Sequence, residues 1–234
     1  MKKILDCSGL CASYDGTSVL SGLSFTLNEG DYLCILGENG SGKSTLVKCL
    51  LGIKPLDGGS LTFGEGLCPT DIGYLPQHTV LKNGFPATVQ EVVLSGCLGQ
   101  RGFRPFYSQK EKKTAHDAME RLGITDLASR SCRELSGGQQ QRMFLARALC
   151  AAKKMLLLDE PVTGLDPAAT AEMYGLIDEL NKKDNMTIIM VSHDVVKSLE
   201  YANRILCLCS DSHSFFGTPE EYASSHISSK FIGE

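Results

Sequence analysis

Nine residues constrain this chain more than any others: Gly37-Glu38-Asn39-Gly40-Ser41-Gly42-Lys43-Ser44-Thr45. They follow the apolar run Tyr32-Leu33-Cys34-Ile35-Leu36 and precede Leu46 to Leu51, whose apolar residues recur at helical spacing. The stretch reads as strand, glycine-rich loop, helix, with G-x-x-x-x-G-K-[ST] at the junction. Successive backbone N–H groups can wrap a multiply charged anion only where no side chain intervenes. A helix starting at Lys43 adds unpaired N–H groups and the positive end of its dipole. The ligand that fits such a loop is a nucleoside triphosphate. Lys43 is expected to reach its β- and γ-phosphates, and the Ser44 hydroxyl to bind Mg²⁺.

The rest of the composition narrows the class. With 234 residues, 42% of them hydrophobic and 21% charged, the chain can bury a sizeable core. A net charge of −4, with no run of more than two Lys or Arg, argues against a nucleic-acid-binding surface. Apolar stretches such as Lys154 to Asp159 and Ile188 to Val191 fall far short of the about 20 residues that a membrane span needs. The start, Met1-Lys2-Lys3-Ile4-Leu5-Asp6, turns polar too soon for a signal peptide, so a cytosolic chain is expected. The 10 cysteines form no C-x-x-C pair, and most lie within apolar runs, where a thiol behaves as a small hydrophobe. Cys207 and Cys209 would share one face of a strand, which leaves a metal there geometrically open.

Along the chain, Ile4 to Tyr14, the turn Asp15-Gly16 and Leu20 to Leu27 read as antiparallel strands. Ser60 to Phe63 and Ile72 to Leu75 are further short strands. From about residue 80 the pattern becomes helical. Thr88-Val89-Gln90-Glu91 and Ser108-Gln109-Lys110-Glu111 are capping boxes, opening helices to about Leu98 and Leu122. Gly99 to Tyr107 between them reads as an exposed loop. Met155 to Leu158 and Thr187 to Val191 are strands of the buried parallel kind. Asp166-Pro167 caps a helix to about Lys183, Asp194 to Ala202 forms another, Arg204 to Cys209 is a strand, and Thr218-Pro219 opens the last helix.

Two further stretches carry chemistry. Met155-Leu156-Leu157-Leu158-Asp159-Glu160 ends a hydrophobic strand in two carboxylates, at the sheet edge where ligands bind. Asp159 suits Mg²⁺ through its water shell, and Glu160 suits the base that orients and deprotonates an attacking water. Leu135-Ser136-Gly137-Gly138-Gln139-Gln140-Gln141-Arg142 is a helix start, with Ser136 as N-cap and Gln139 completing a capping box. Capping alone does not explain two consecutive glycines, each costing up to about 1 kcal/mol as helix residues. Bare N–H groups at a helix start are what an anion site uses.

At this point the sequence resembles the ABC ATPases, whose signature motif reads LSGGQ, and the resemblance runs through essentially the whole chain. Tyr14 matches the aromatic residue that stacks on adenine, and Gly37 to Thr45 matches Walker A. Gln77 in Tyr74-Leu75-Pro76-Gln77 matches the Q-loop glutamine, Ser136 to Gln139 the signature, and Met155 to Glu160 Walker B. Gly164-Leu165-Asp166 matches the D-loop, and His193 the switch histidine that contacts the γ-phosphate. The resemblance implies an α/β fold of the P-loop NTPase type. A mixed parallel sheet core (1–77 and 139–234) would carry an antiparallel β subdomain, with an α-helical subdomain inserted at 78–138.

It also implies a mechanism. ATP hydrolysis would use Glu160, His193 and Gln77, with Mg²⁺ held by Ser44, Gln77 and Asp159. Tyr14, Gly37, Asn39, Gly40, Ser41, Gly42, Lys43, Ser44 and Thr45 would bind the nucleotide. Ser136, Gly137, Gly138, Gln139 and Asp166 would meet it from a second copy of the chain in a head-to-tail dimer that ATP closes. The helical segment would dock on membrane permease subunits at the cytoplasmic face, fed indirectly by an extracytoplasmic solute-binding protein. No nucleic-acid partner and no C-terminal regulatory domain are expected.

Phe85 to Gly96, and the tail from Arg204 to Glu221, are similar to the zinc and manganese importer branch. The first of these segments is equally similar to iron-chelate importers. A non-transport ABC ATPase, acting in iron–sulfur assembly or cell division, is the reading from another class.

Overall fold

The computed structural model describes residues 2–64, 66–77, 86–101, 104–209 and 214–228, with the side chains of residues 100 and 101 left aside. The chain divides into two compact units, one formed by Met1–Pro69 with Asn181–Glu234 and the other by Thr70–Leu180. The first unit opens with β1 (Lys3–Tyr14), β2 (Thr17–Asn28), β3 (Tyr32–Gly37), α1 (Lys43–Leu50) and β4 (Gly58–Phe63). Then follow β5 (Ile72–Leu75), α2 (Val89–Leu94), α3 (Leu98–Arg101), α4 (Gln109–Arg121), α5 (Gly137–Ala151), β6 (Met155–Asp159) and α6 (Pro167–Asp184), within which the unit boundary falls. The first unit resumes with β7 (Thr187–Val191), α7 (Val195–Tyr201), β8 (Arg204–Leu208), β9 (Ser214–Gly217) and α8 (Pro219–Ala223).

In the first unit, β1 pairs antiparallel with both β2 and β4, Cys7 lying opposite Phe25 on one side and Leu61 on the other. The hairpin turn is Asp15-Gly16, with φ of 49° and 79°. Positive φ at both central residues matches the right-handed twist of the flanking strands, and Asp-Gly tolerates it. Every residue of β3 is buried, and β3 runs parallel to β7 and β8, with Ile35 opposite Val191 and Leu206. Strands covered on both faces read as unbroken apolar runs rather than alternations. The parallel arrangement brings the C-terminal ends of β3 and β7 to the same edge, so Gly37 and the residues after Val191 emerge together.

The second unit joins the parallel pair β5 and β6, register Tyr74 opposite Leu157, to the helices α2 to α5. The capping boxes at Thr88/Glu91 and Ser108/Glu111 are formed as the spacing implies. The face of α4 that turns inward presents Ala115, Ala118 and Met119, which are buried. No helix among the described residues is long and apolar enough to cross a membrane.

Two elements depart from the expectations. The stretch read as loop from Gly99 begins helical, because a 3₁₀ turn at Ser95–Cys97, pinned by buried Cys97, carries the backbone straight on into α3. Residues 102 and 103 of that stretch, like residues 78–85 at the expected start of the helical segment, lie outside the described residues. Strand β9 was not expected. Ser-Phe-Phe-Gly has neither β-branched residues nor alternation, and it is a strand because β8 offers it an open antiparallel edge, Phe215 opposite Cys207.

Ile35, fully buried in β3, has no room to collapse around a loss of volume. Replacing it with Ala should lower the unfolding free energy by about 2–5 kcal/mol. Urea denaturation followed by circular dichroism measures it, and a loss much below that range would mean the strand is less central than its burial implies.

Candidate functional site

The candidate phosphate loop lies in the first unit. Strand β3 ends at Gly37 with φ 146°, and α1 starts after Gly42, whose φ of 100° is left-handed. A Cβ on Gly42 would meet Leu20 Cδ2 at 2.9 Å and Val19 O at 3.1 Å, and one on Gly37 would meet Ser41 Oγ at 2.6 Å. The loop can be made only with glycine at both places, for conformation and for space. The start of α1 has neither a side-chain cap nor an acidic residue in its first turn, so its N–H groups face outward with their positive field intact.

Lys43 is buried, and its Nζ donates to Gly37 O at 2.6 Å and Glu38 O at 2.8 Å. The ammonium is thus parked on carbonyls of its own loop, from which an anion can draw it. Buried Ser41 Oγ has no hydrogen-bond partner among the described residues, an orphan that a phosphate oxygen would satisfy. Ser44 is exposed and Thr45 buried, so one hydroxyl is free to meet a hard cation. Asn39 and Gly40 form the exposed rim of the loop. At the end of β8, burial first and then the Cys209 thiol beside it push the Cys207 thiol up to about 12. It therefore stays neutral at physiological pH.

Two further candidates belong to this unit. Tyr14, at the end of β1, is 43% exposed, with Lys54 Nζ at 4.3 Å and Lys48 Nζ at 5.9 Å from its ring centroid. A partly open aromatic face is what a base would stack on. His193 is exposed just past β7, between buried Ser192, whose Oγ accepts from Asp194 N at 3.0 Å, and Asp194, which caps α7 by accepting from Lys197 N.

The second unit carries the carboxylates and the second anion-ready helix start. All of β6 is buried, including Asp159 at its end. Burial and the neighbouring Asp159 carboxylate push the Tyr74 hydroxyl up to about 12, so it remains a neutral donor. Glu160 follows with φ 50°, a left-handed backbone that costs a side-chain-bearing residue about 1–3 kcal/mol unless its surroundings hold it. Its Oε2 accepts from Gln77 Nε2 at 2.7 Å and from Thr163 Oγ1 at 3.1 Å. The structure thus brings together Gln77 and Glu160, 83 residues apart in sequence. Thr163 went unnoticed in the sequence, where only its place in Pro-Val-Thr-Gly beside the carboxylates could have signalled it.

Helix α5 starts at Gly137 with the Ser136/Gln139 capping box in place. The boxes opening α2, α4 and α8 close on Glu91, Glu111 and Glu221, whereas this one closes on a neutral Gln. Gln139 gives the same reciprocal bonds without adding negative charge to the first turn, which keeps the start attractive to an anion. Ser136, Gly138, Arg142, Asp166 and Glu172 help line a cleft of about 520 Å³. Asp166 Oδ1 accepts from Ala169 N at 2.9 Å, capping α6, and Arg142 bonds Glu172 across the cleft.

The family model described as ABC transporter matches residues 20–163. The zinc uptake system ATP-binding protein ZurA of Listeria monocytogenes is 36% identical over 228 residues, covering 95% of this chain and 88% of that protein. The manganese transport system ATP-binding protein MntB of Bacillus subtilis is 36% identical over 207 residues, covering 87% and 82%. A solved structure of an ABC transporter described as of the metal-chelate type, in an inward-facing conformation, matches with a TM-score of 0.89 at 31% identity, covering 99% of this chain and 90% of that one. With a polyphosphate loop in one unit and carboxylates beside a glycine-led helix start in the other, the chain belongs to the ABC transporter family, as an ATP-binding subunit that hydrolyses ATP.

Proposed function

We propose that this chain drives the import of a transition-metal ion, zinc or manganese, working as a head-to-tail dimer under permease subunits at the cytoplasmic face of the membrane. An extracytoplasmic solute-binding protein delivers the ion, which is cargo and does not reside on this chain. One observation carries the nucleotide part of this reading. A single chain holds two anion-ready helix starts, at Gly42 and at Ser136, each without an acidic residue in its first turn. One of them binds the phosphates of its own ATP, and the other closes on the partner's. The relatives named for zinc and manganese transport support the choice of cargo. The match to a transporter described as of the metal-chelate type favours a second reading, import of a chelated metal.

In this reading Tyr14 stacks on adenine, Lys43 leaves the Gly37 and Glu38 carbonyls for the β- and γ-phosphates, and Ser41 finds its missing partner there. Ser44, Asp159 and Gln77 would hold Mg²⁺, which would supply positive charge against that building on the phosphates. Gln77 meanwhile keeps its amide N–H on Glu160, which orients that carboxylate to take the proton from the attacking water. His193 contacts the γ-phosphate. Asp166 and Ser136 to Gln139 complete the partner's site.

Three outcomes are expected. In the source organism, loss of this chain should lower cellular zinc or manganese, measured by elemental analysis, and wild-type but not Glu160→Gln should restore it. Unchanged metal content, with iron-chelate uptake impaired instead, would favour the second reading. In the purified protein, Glu160→Gln keeps shape and hydrogen bonding but cannot accept a proton. Turnover should fall about 10²–10⁴-fold while ATP still binds and holds a closed dimer; near wild-type hydrolysis would assign the base elsewhere.

The shared site has its own test. Lys43→Ala removes charge-assisted phosphate contacts worth about 1.5–3 kcal/mol each, and Ser136→Arg fills the signature face. Each variant alone damages both sites of its dimer. A mixed dimer joins an intact phosphate loop to an intact signature once, so mixing the two inactive proteins should restore ATP-driven closure by light scattering. No closure at any ratio, with both proteins folded, would sink the shared site.

A further inference from the structure

Gln141 lies on α5, just past the turn that carries Ser136 to Gly138, and its Nε2 donates to Pro161 O at 2.7 Å. Pro161 immediately follows Glu160. It has no N–H, so its carbonyl is the only backbone atom by which residue 161 can be held through a hydrogen bond. The turn it belongs to is closed from within by Thr163 N donating to Glu160 O at 3.2 Å. Gln77 from outside the turn and Thr163 from within it hold the carboxylate, while Gln141 from outside holds the carbonyl of the residue that follows Glu160. Glu160 itself sits at φ 50°, a conformation that persists only where neighbours over-determine it.

Between Gly137 and Gln141 the backbone is continuous helix, so a shift of the first turn carries residue 141 with it. We infer that Gln141 is a positioning residue that transmits engagement of the signature turn on the partner's nucleotide to Glu160 of the same chain. The inference rests on the shared-site reading and deepens it. In a head-to-tail dimer, the signature of one chain completes one site while its Glu160 serves the other. A single amide-to-carbonyl bond then ties the chemistry at one nucleotide to occupancy of the second, and the two sites hydrolyse ATP cooperatively.

Gln141→Glu keeps the shape and removes the donor, while Gln141→Lys restores a donor at similar reach. For Gln141→Glu, kcat should fall about tenfold, the size of one lost neutral hydrogen bond. KM for ATP and ATP-driven closure by light scattering should stay as in wild type, and the sigmoidal dependence of rate on ATP should flatten. Gln141→Lys should regain most of kcat and of the sigmoidal form. If Gln141→Glu does not fold by circular dichroism, Gln141→Met, neutral and of similar length, carries the same expectation.

Wild-type kcat and cooperativity in the donor-less variant would overturn the inference. So would a loss of kcat matched by loss of closure, since Gln141 would then merely prop the signature, and so would a failure of Lys to rescue. If wild-type protein itself hydrolyses ATP without any ATP-driven closure, the shared-site reading falls, and the coupling falls with it.

Discussion

Stripping water from a polyphosphate is the constraint on which the rest of this molecule depends. Several negative charges have to be met by groups already in place, and a chain of modest negative charge cannot supply them by massing lysines. It supplies peptide dipoles instead. Two helices, α1 and α5, begin with glycine and without acid in their first turns, while three others in the same chain close their capping boxes on glutamate. The distinction is electrostatic rather than structural, because glutamine and glutamate make the same reciprocal bonds at a helix start. What differs is the charge an incoming phosphate would meet.

The strands are subordinate to that requirement. Burial of β3 and β6 on both faces fixes where their last residues emerge, so that Gly37 opens the phosphate loop of one unit and Asp159 and Glu160 end the strand of the other. Rigid strand ends and pliant loops divide the labour: the core holds position, and the loop supplies bare backbone. Lys43 is a charge buried in this arrangement, and its bonds to Gly37 and Glu38 satisfy the ammonium without an anion. A buried ammonium with no acceptor would be far more costly.

Local rules made much of this legible. Asp15-Gly16 announced its hairpin, the capping boxes at Thr88, Ser108 and Ser136 announced their helices, and unbroken apolar runs announced buried strands. Each of these signals depends on residues a few positions apart. What stayed hidden depends on distance or on a neighbour. Strand β9 exists because β8 offers an edge, and its own four residues carry no strand pattern. The hold of Gln77 and Thr163 on the Glu160 carboxylate, and of Gln141 on Pro161, joins segments that no periodicity connects. The site was visible as a set of motifs, but the bonds that orient its members were not.

The left-handed backbone at Glu160 sets evolution against stability at one position. Glycine there would relax the turn at no steric cost, and asparagine nearly so. A selection for heat resistance alone would favour either one, and would lose the carboxylate that accepts from Gln77 and Thr163. The acidic side chain at this twist in the chain therefore stands against the local preference of the backbone, and in the proposed function it is the base that the strained turn presents.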